Sequence, residues 1–157
     1  ALRENGILLI AEPQVPGLAI DGAAFLEGNV PVIGMTIRKD TIDNFWFTLL
    51  HEIAHAVLHH RTGLATGFFD QLESVSTDEQ EAEADSFAAN ILIPEEKWRR
   101  STARIANSAD VIEKFAKEIG IHPAIVFGRI RKERNNYALF SNKIGANTVR
   151  EQLVGPV

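Results

Sequence analysis

The feature that most constrains this chain is His51-Glu52-Ile53-Ala54-His55, set inside an apolar run. Phe45, Trp46, Phe47, Leu49, Leu50, Ile53, Ala54, Ala56, Val57 and Leu58 surround its polar members. A helix over 41–60 with that pattern is apolar nearly all round, and such helices are normally buried. Two imidazoles and a carboxyl buried there would lose their hydration with no evident partner, which is costly. Residues four apart on a helix share a face, with Cβ atoms roughly 5–6 Å apart. His51 and His55 can therefore reach one tetrahedral metal ion, and Glu52 can lie beside a water on that ion. Two ligands and a general base from one helical turn is the zincin arrangement.

A catalytic zinc usually takes three protein ligands and keeps one position for water. No further histidine is well placed, since His122 sits far downstream at a helix start. The acidic run 78–85 is the other source, although its plain reading is a solvated helix N-terminus favoured by the macrodipole. Ala84, Phe87, Ala88, Ile91 and Leu92 define the apolar stripe of that helix. At about 100° per residue, Glu81 lies about 50° from the stripe's centre, and Glu83, Glu79 and Asp78 lie roughly 110° or more away. Glu81 is thus the expected third ligand. Asp85, one turn later on the same side, is placed to accept the second N–H of a ligand histidine. His59 and His60 read as helix-end residues near the negative end of the dipole, with His55/His59 a second geometrically allowed pair.

The rest of the chain organises around this helix. Residues 6–38 read as β-rich: Gly6–Ile10, Gly17–Ile20 and Ala23–Leu26 about an Asp21-Gly22 turn, a Glu27-Gly28-Asn29 turn, then Pro31–Ile37. They suggest a short, mostly antiparallel sheet in an α+β chain. Asp40 or Thr41 is the expected cap of the helix over 41–60, and 61–76 reads as loop. Thr77 and Gln80 form a capping-box pattern opening a helix that Pro94 stops. Helical pieces follow through 95–134, with Ser108 as a cap, Gly120 as a stop and Pro123 in a first turn. This gives one domain over 1–140 and a weakly periodic tail over 141–157. The chain begins with Ala1, so it is expected to be a piece of something longer, with a further domain upstream.

Composition narrows the function classes. The chain lacks cysteine, which excludes disulfides, thiolate metal sites and a thiol nucleophile. Its net charge of −5 argues against coating nucleic acid by bulk charge. No stretch approaches the roughly 18 apolar residues of a membrane span, and no signal-peptide pattern opens the chain. A cytoplasmic protein that does not engage membranes is the expectation.

His51-Glu-x-x-His55, followed by Glu81-x-Glu83-Ala84-Asp85-x-Phe87-Ala88-Ala89-x-Ile91-Leu92-Ile93-Pro94, resembles the ImmA/IrrE family of metallopeptidase domains. The lead-in Phe45-Trp-Phe-Thr-Leu-Leu resembles that family's entry to its catalytic helix, and the likeness covers roughly residues 17 to 133. The resemblance implies a small gluzincin-like fold, a short sheet on the helix of His51 and His55, and one Zn²⁺ per chain. It also implies cleavage of a repressor-type protein, or a role in antitoxin-like and phage-type regulators, and it implies that the expected upstream domain is a DNA-binding domain. Glu52 is then the general base. Val32, Ile33, Gly34 and Met35 are the expected substrate strand by edge addition. Tyr137, His59, His60 and His122 are candidates for stabilising the oxyanion.

The alternative reading is a non-catalytic, metal-stabilised module that binds a partner protein or DNA through 112–134. There Ala116, Gly120, Ile121 and Val126 match helix-turn-helix spacing. Lys114, Lys117, Arg129, Arg131, Lys132 and Arg134 make the segment basic. The plainer account is an ordinary helical pair with Gly120 as its stop and a solvated cationic face.

Overall fold

Successive buried residues on one strand mean that both of its faces are covered, and β3 shows the pattern. In the computed structural model, which describes residues 1–12, 17, 19–59 and 75–154, the strands are β1 (Leu8–Glu12), β2 (Gly22–Glu27) and β3 (Val30–Thr36). Val32, Ile33 and Met35 of β3 are all buried, so both of its faces are covered. The order is β1-β3-β2. β1 pairs parallel with β3 from Leu8↔Val32 to Glu12↔Thr36, and β2 pairs antiparallel from Gly22↔Met35 to Glu27↔Val30. The sheet is mixed rather than mostly antiparallel, because the β1–β3 pairing is parallel. The α+β class holds.

The β2–β3 hairpin closes over Gly28 and Asn29, as the turn signal predicts. Gly28 has φ +62°, the left-handed value a two-residue hairpin loop asks of its first residue. Asp21-Gly22 is not a hairpin turn, and residues 17, 19 and 20 form no strand. Asp21 instead pins the chain leaving β3: its carboxylate accepts from Arg38 at 2.9 Å and Lys39 at 2.7 Å, and its carbonyl from the Thr36 N–H.

The helices are α1 (Ile42–Leu58), α2 (Val75–Leu92), α3 (Glu95–Arg100), α4 (Ala109–Ile119), α5 (Pro123–Glu133) and α6 (Val149–Val154). The expected loop over 61–76 falls mostly outside the described residues. α2 begins at Val75, so Thr77 lies inside the helix rather than at its cap. Among the described residues no helix is long and apolar enough to cross a membrane.

The chain divides into two compact units, Ala1–Lys39 with Thr48–Ala88, and Asp40–Phe47 with Ala89–Val157. In the first, β2 lies against α1: Ala24 and Ala56 are buried together with Leu26 packed on them. Gly22 makes that approach close, since a Cβ there would stand 2.7 Å from Thr48 Cγ2 and 2.9 Å from Glu52 Oε1.

The second unit is built on Trp98, Ile112, Phe115, Ala116, Val126, Phe127 and Ile130. Trp98 Nε1–H donates to Glu133 Oε1 at 2.7 Å, and the Arg129 guanidinium lies 4.7 Å from its ring centre. Gly120 ends α4 in the left-handed conformation, and the His122 side chain caps α5 by accepting from the Ala124 N–H. Ser108 precedes α4 without a side-chain capping bond. Asp40 does not cap α1. Its Oδ1 accepts from the N–H groups of Val149 and Arg150 and so caps α6. Residues 141–157, expected as a tail, thus carry a helix, and Ile144 and Val149 are buried.

Candidate metal centre

α1 carries His51, Glu52 and His55, and His59 follows its last turn, so three histidines recur every four residues. The His51 and His55 ring centres are 4.7 Å apart, and those of His55 and His59 are 5.3 Å apart. On α2, Ala84 and Ala88 form the fully buried line. At about 100° per residue, Glu81 and Asp85 fall about 60° and 100° to one side of Ala84, and Glu83 about 100° to the other. Acids on both flanks of one small residue therefore serve successive histidines.

The donors converge. Glu81 Oε2 is 3.2 Å from His51 Nε2, Glu81 Oε1 is 3.2 Å from His55 Nε2, and the two Nε2 atoms are 3.0 Å apart. The three side chains offer ligand atoms all within 4.8 Å of one another. On its far side, His51 Nδ1 lies 3.0 Å from Asp85 Oδ1. A carboxylate only accepts, so in a neutral ring that bond puts the proton on Nδ1 and leaves the Nε2 lone pair facing Glu81.

Burial sets the charge states. His55 is pushed down to about 4, first by burial and then by His51 and His59, with Asp85 opposing weakly. It is neutral at pH 7, the form that ligates. Glu52 is 7% exposed and its pKa is pushed up to about 7, by burial first and the Glu81 charge second. The Ala24 N–H donates to the Glu52 carboxylate and opposes that rise. A carboxyl that titrates near neutrality suits proton transfer.

Several expected positions differ. Val32, Ile33, Gly34 and Met35 lie on β3, whose two sides are taken by β1 and β2, so it has no free edge to offer a substrate. Among the described residues β2 is an edge strand, and it is the strand that touches Glu52. His59 stands at the helix end as expected, but its side chain turns inward: it is buried, with Nδ1 3.1 Å from His55 Nδ1 and Nε2 3.0 Å from Glu83 Oε2. Tyr137 belongs to the other unit, where Arg131 bonds its carbonyl and stacks on its ring. His122 is the α5 cap, and His60 lies outside the described residues. The His59–Glu83 pair was missed because Glu83 points away from the stripe drawn through Ile91, which is itself 56% exposed.

Four of the six cations of 112–134, Arg129, Arg131, Lys132 and Arg134, have work inside the second unit. Arg129 bonds the Ile93 carbonyl and Glu133, and Arg131 bonds Asp43 as well as Tyr137. Arg134 bonds Asn107 and the Ala106 carbonyl, and the Lys132 ammonium lies 4.3 Å from the centre of the Phe47 ring. In α5, Ala124, Ile125, Val126, Phe127 and Ile130 are buried.

No curated protein matched the chain in a sequence search. The model of the peptidase M78 family, described as the IrrE N-terminal-like domain, matches residues 27–130. That span holds both helices of the His51, His55 and Glu81 cluster and covers most of the chain, which therefore belongs to the peptidase M78 family.

Proposed function

We propose that this chain is a cytoplasmic zinc-dependent endopeptidase whose substrate is a regulatory protein, of the repressor or toxin-antitoxin kind. The observation that carries the proposal is the meeting of His51 Nε2, His55 Nε2 and the Glu81 carboxylate at 3.0–3.2 Å. Ligand atoms that close to one another can share one cation, and two nitrogens with one carboxylate suit zinc. A bound zinc ion would polarise a peptide carbonyl and lower the pKa of an attacking water.

The chain supplies the remaining chemistry. Glu52, one residue from His51, takes a proton from the attacking water and delivers it to the leaving amine. The Ala24 N–H holds that carboxylate toward β2, and Asp85 holds the His51 ring. Antiparallel pairing alternates backbone direction, so with Ala24 facing α1, Gly22 and Leu26 also turn their backbone groups away from β3. These groups offer an extended peptide a pairing edge beside Glu52. The rival partner, DNA, draws less support, because Arg129, Arg131 and Arg134 are held in contacts within the chain.

Zinc titration of the purified chain, with fragments of a neighbouring regulator read by mass spectrometry, tests this reading. One equivalent of zinc should bind, and His51→Ala and Glu81→Ala should each abolish it. Glu52→Gln should keep the zinc and lose cleavage. Full cleavage by Glu52→Gln would refute the assigned base.

A further inference from the structure

We propose that Glu83, His59 and His55 form a hydrogen-bonded relay that fixes the tautomer and ring orientation of His55 and so sets its strength as a metal ligand. This rests on the reading of His51, His55 and Glu81 as a metal site. His55 Nδ1 is 3.1 Å from His59 Nδ1, and His59 Nε2 is 3.0 Å from Glu83 Oε2.

With both rings neutral, the relay has one consistent direction. A neutral imidazole has one donor and one acceptor nitrogen, and a carboxylate only accepts. Glu83 therefore draws the His59 proton to Nε2 and leaves Nδ1 as an acceptor. His55 must then donate from Nδ1. That leaves its Nε2 lone pair toward Glu81 Oε1 at 3.2 Å, the form a ligand needs. The reverse direction would put a proton on His55 Nε2 and block ligation.

The two ligand histidines are thereby held differently. Asp85 reaches His51 directly. The His55 side chain is deeper, 3% exposed against 16% for His51, and its outer nitrogen meets His59 rather than a carboxylate. His59 carries the orienting effect of Glu83, whose side chain is 62% exposed, inward by one ring. The main chain at His59 continues the helical pattern, since its N–H donates to the His55 carbonyl at 3.1 Å.

The test uses the whole chain and Co²⁺ as the probe. Long-range ¹⁵N–¹H spectra of the metal-free protein should show His55 protonated on Nδ1 and His59 on Nε2. Loss of such orienting partners typically weakens metal binding about 10–100-fold. His59→Leu should fall in that range, and Glu83→Ala near its lower end of about tenfold, because water partly replaces an exposed carboxylate. Alanine also suits a helix, so the fold should survive that change. His59→Gln should stay close to wild type, because its amide can accept from His55 and donate to Glu83. Equal loss in the Gln and Leu variants, unchanged affinity in both, or a wild-type His55 protonated on Nε2 would overturn the relay. Wild-type protein that shows the stated tautomers, loses them in Glu83→Ala and takes up no Co²⁺ would sink the metal-site reading and uphold the relay's hold on His55.

Discussion

Replacing Glu52 with glutamine should change how the stability of the metal-free protein depends on pH. Folding raises the Glu52 pKa from 4.5 to about 7, chiefly by burial. A raised pKa means the folded state binds the proton more tightly than the unfolded state does. The stability this confers is fully present below the unfolded value and is lost as pH rises through about 7. The shift is 7 − 4.5, and at about 1.4 kcal/mol per unit it corresponds to about 3 kcal/mol. Glutamine keeps the acceptor for the Ala24 N–H and removes the charge. Urea unfolding in the presence of a chelator, at steps from pH 4.5 to 8.5, measures the effect. The stability of Glu52→Gln relative to wild type should climb by about 3 kcal/mol across that range and level off at the alkaline end. His55, pushed down to about 4, titrates in the opposite sense, its contribution being present above 6.5 and lost as pH falls through 4. It does so in both proteins and largely cancels in the difference. A difference that stays flat with pH would show that the Glu52 carboxyl is not desolvated by the fold.

Two further substitutions probe the packing around and beyond the site. Gly22→Ala should displace Glu52, because the new Cβ would stand 2.9 Å from its Oε1. A misplacement of about 1 Å can lower turnover about 100-fold, while zinc affinity, measured by chelator competition, should stay near wild type. Trp98→Ala should destabilise the protein by about 3–5 kcal/mol in urea melts, since the side chain is buried and bonded to Glu133.

The legible part of the site is the part written in helical spacing. His51 and His55 share a face whatever surrounds them, and burial of an apolar helix demanded a partner for them. Glu81 and Asp85 were legible for the same reason, being one turn apart on the side of Ala84. The edge strand was less so. A Pro-Val-Ile-Gly-Met-Thr-Ile run is a strand by composition, but its place in a sheet depends on a parallel partner, Leu8–Glu12, that local pattern cannot supply. The Asp-Gly pair misled because it has the chemistry of a turn. Here the aspartate serves two cations after β3, and the glycine serves the approach of Glu52.

His59 and Glu83 show the deeper limit of reading by stripe. A carboxylate about 100° from a buried alanine is solvent-facing only if nothing polar lies on that flank. Whether something does depends on the neighbouring helix, whose own periodicity was already in hand: histidines at 51, 55 and 59. Two helices that each repeat polar residues on a buried side need to be matched against one another before either face is assigned to water. Matched in that way, three histidines meet three acids, Asp85 on His51, Glu81 on His51 and His55, and Glu83 on His59. The spare histidine and the spare carboxylate then account for each other.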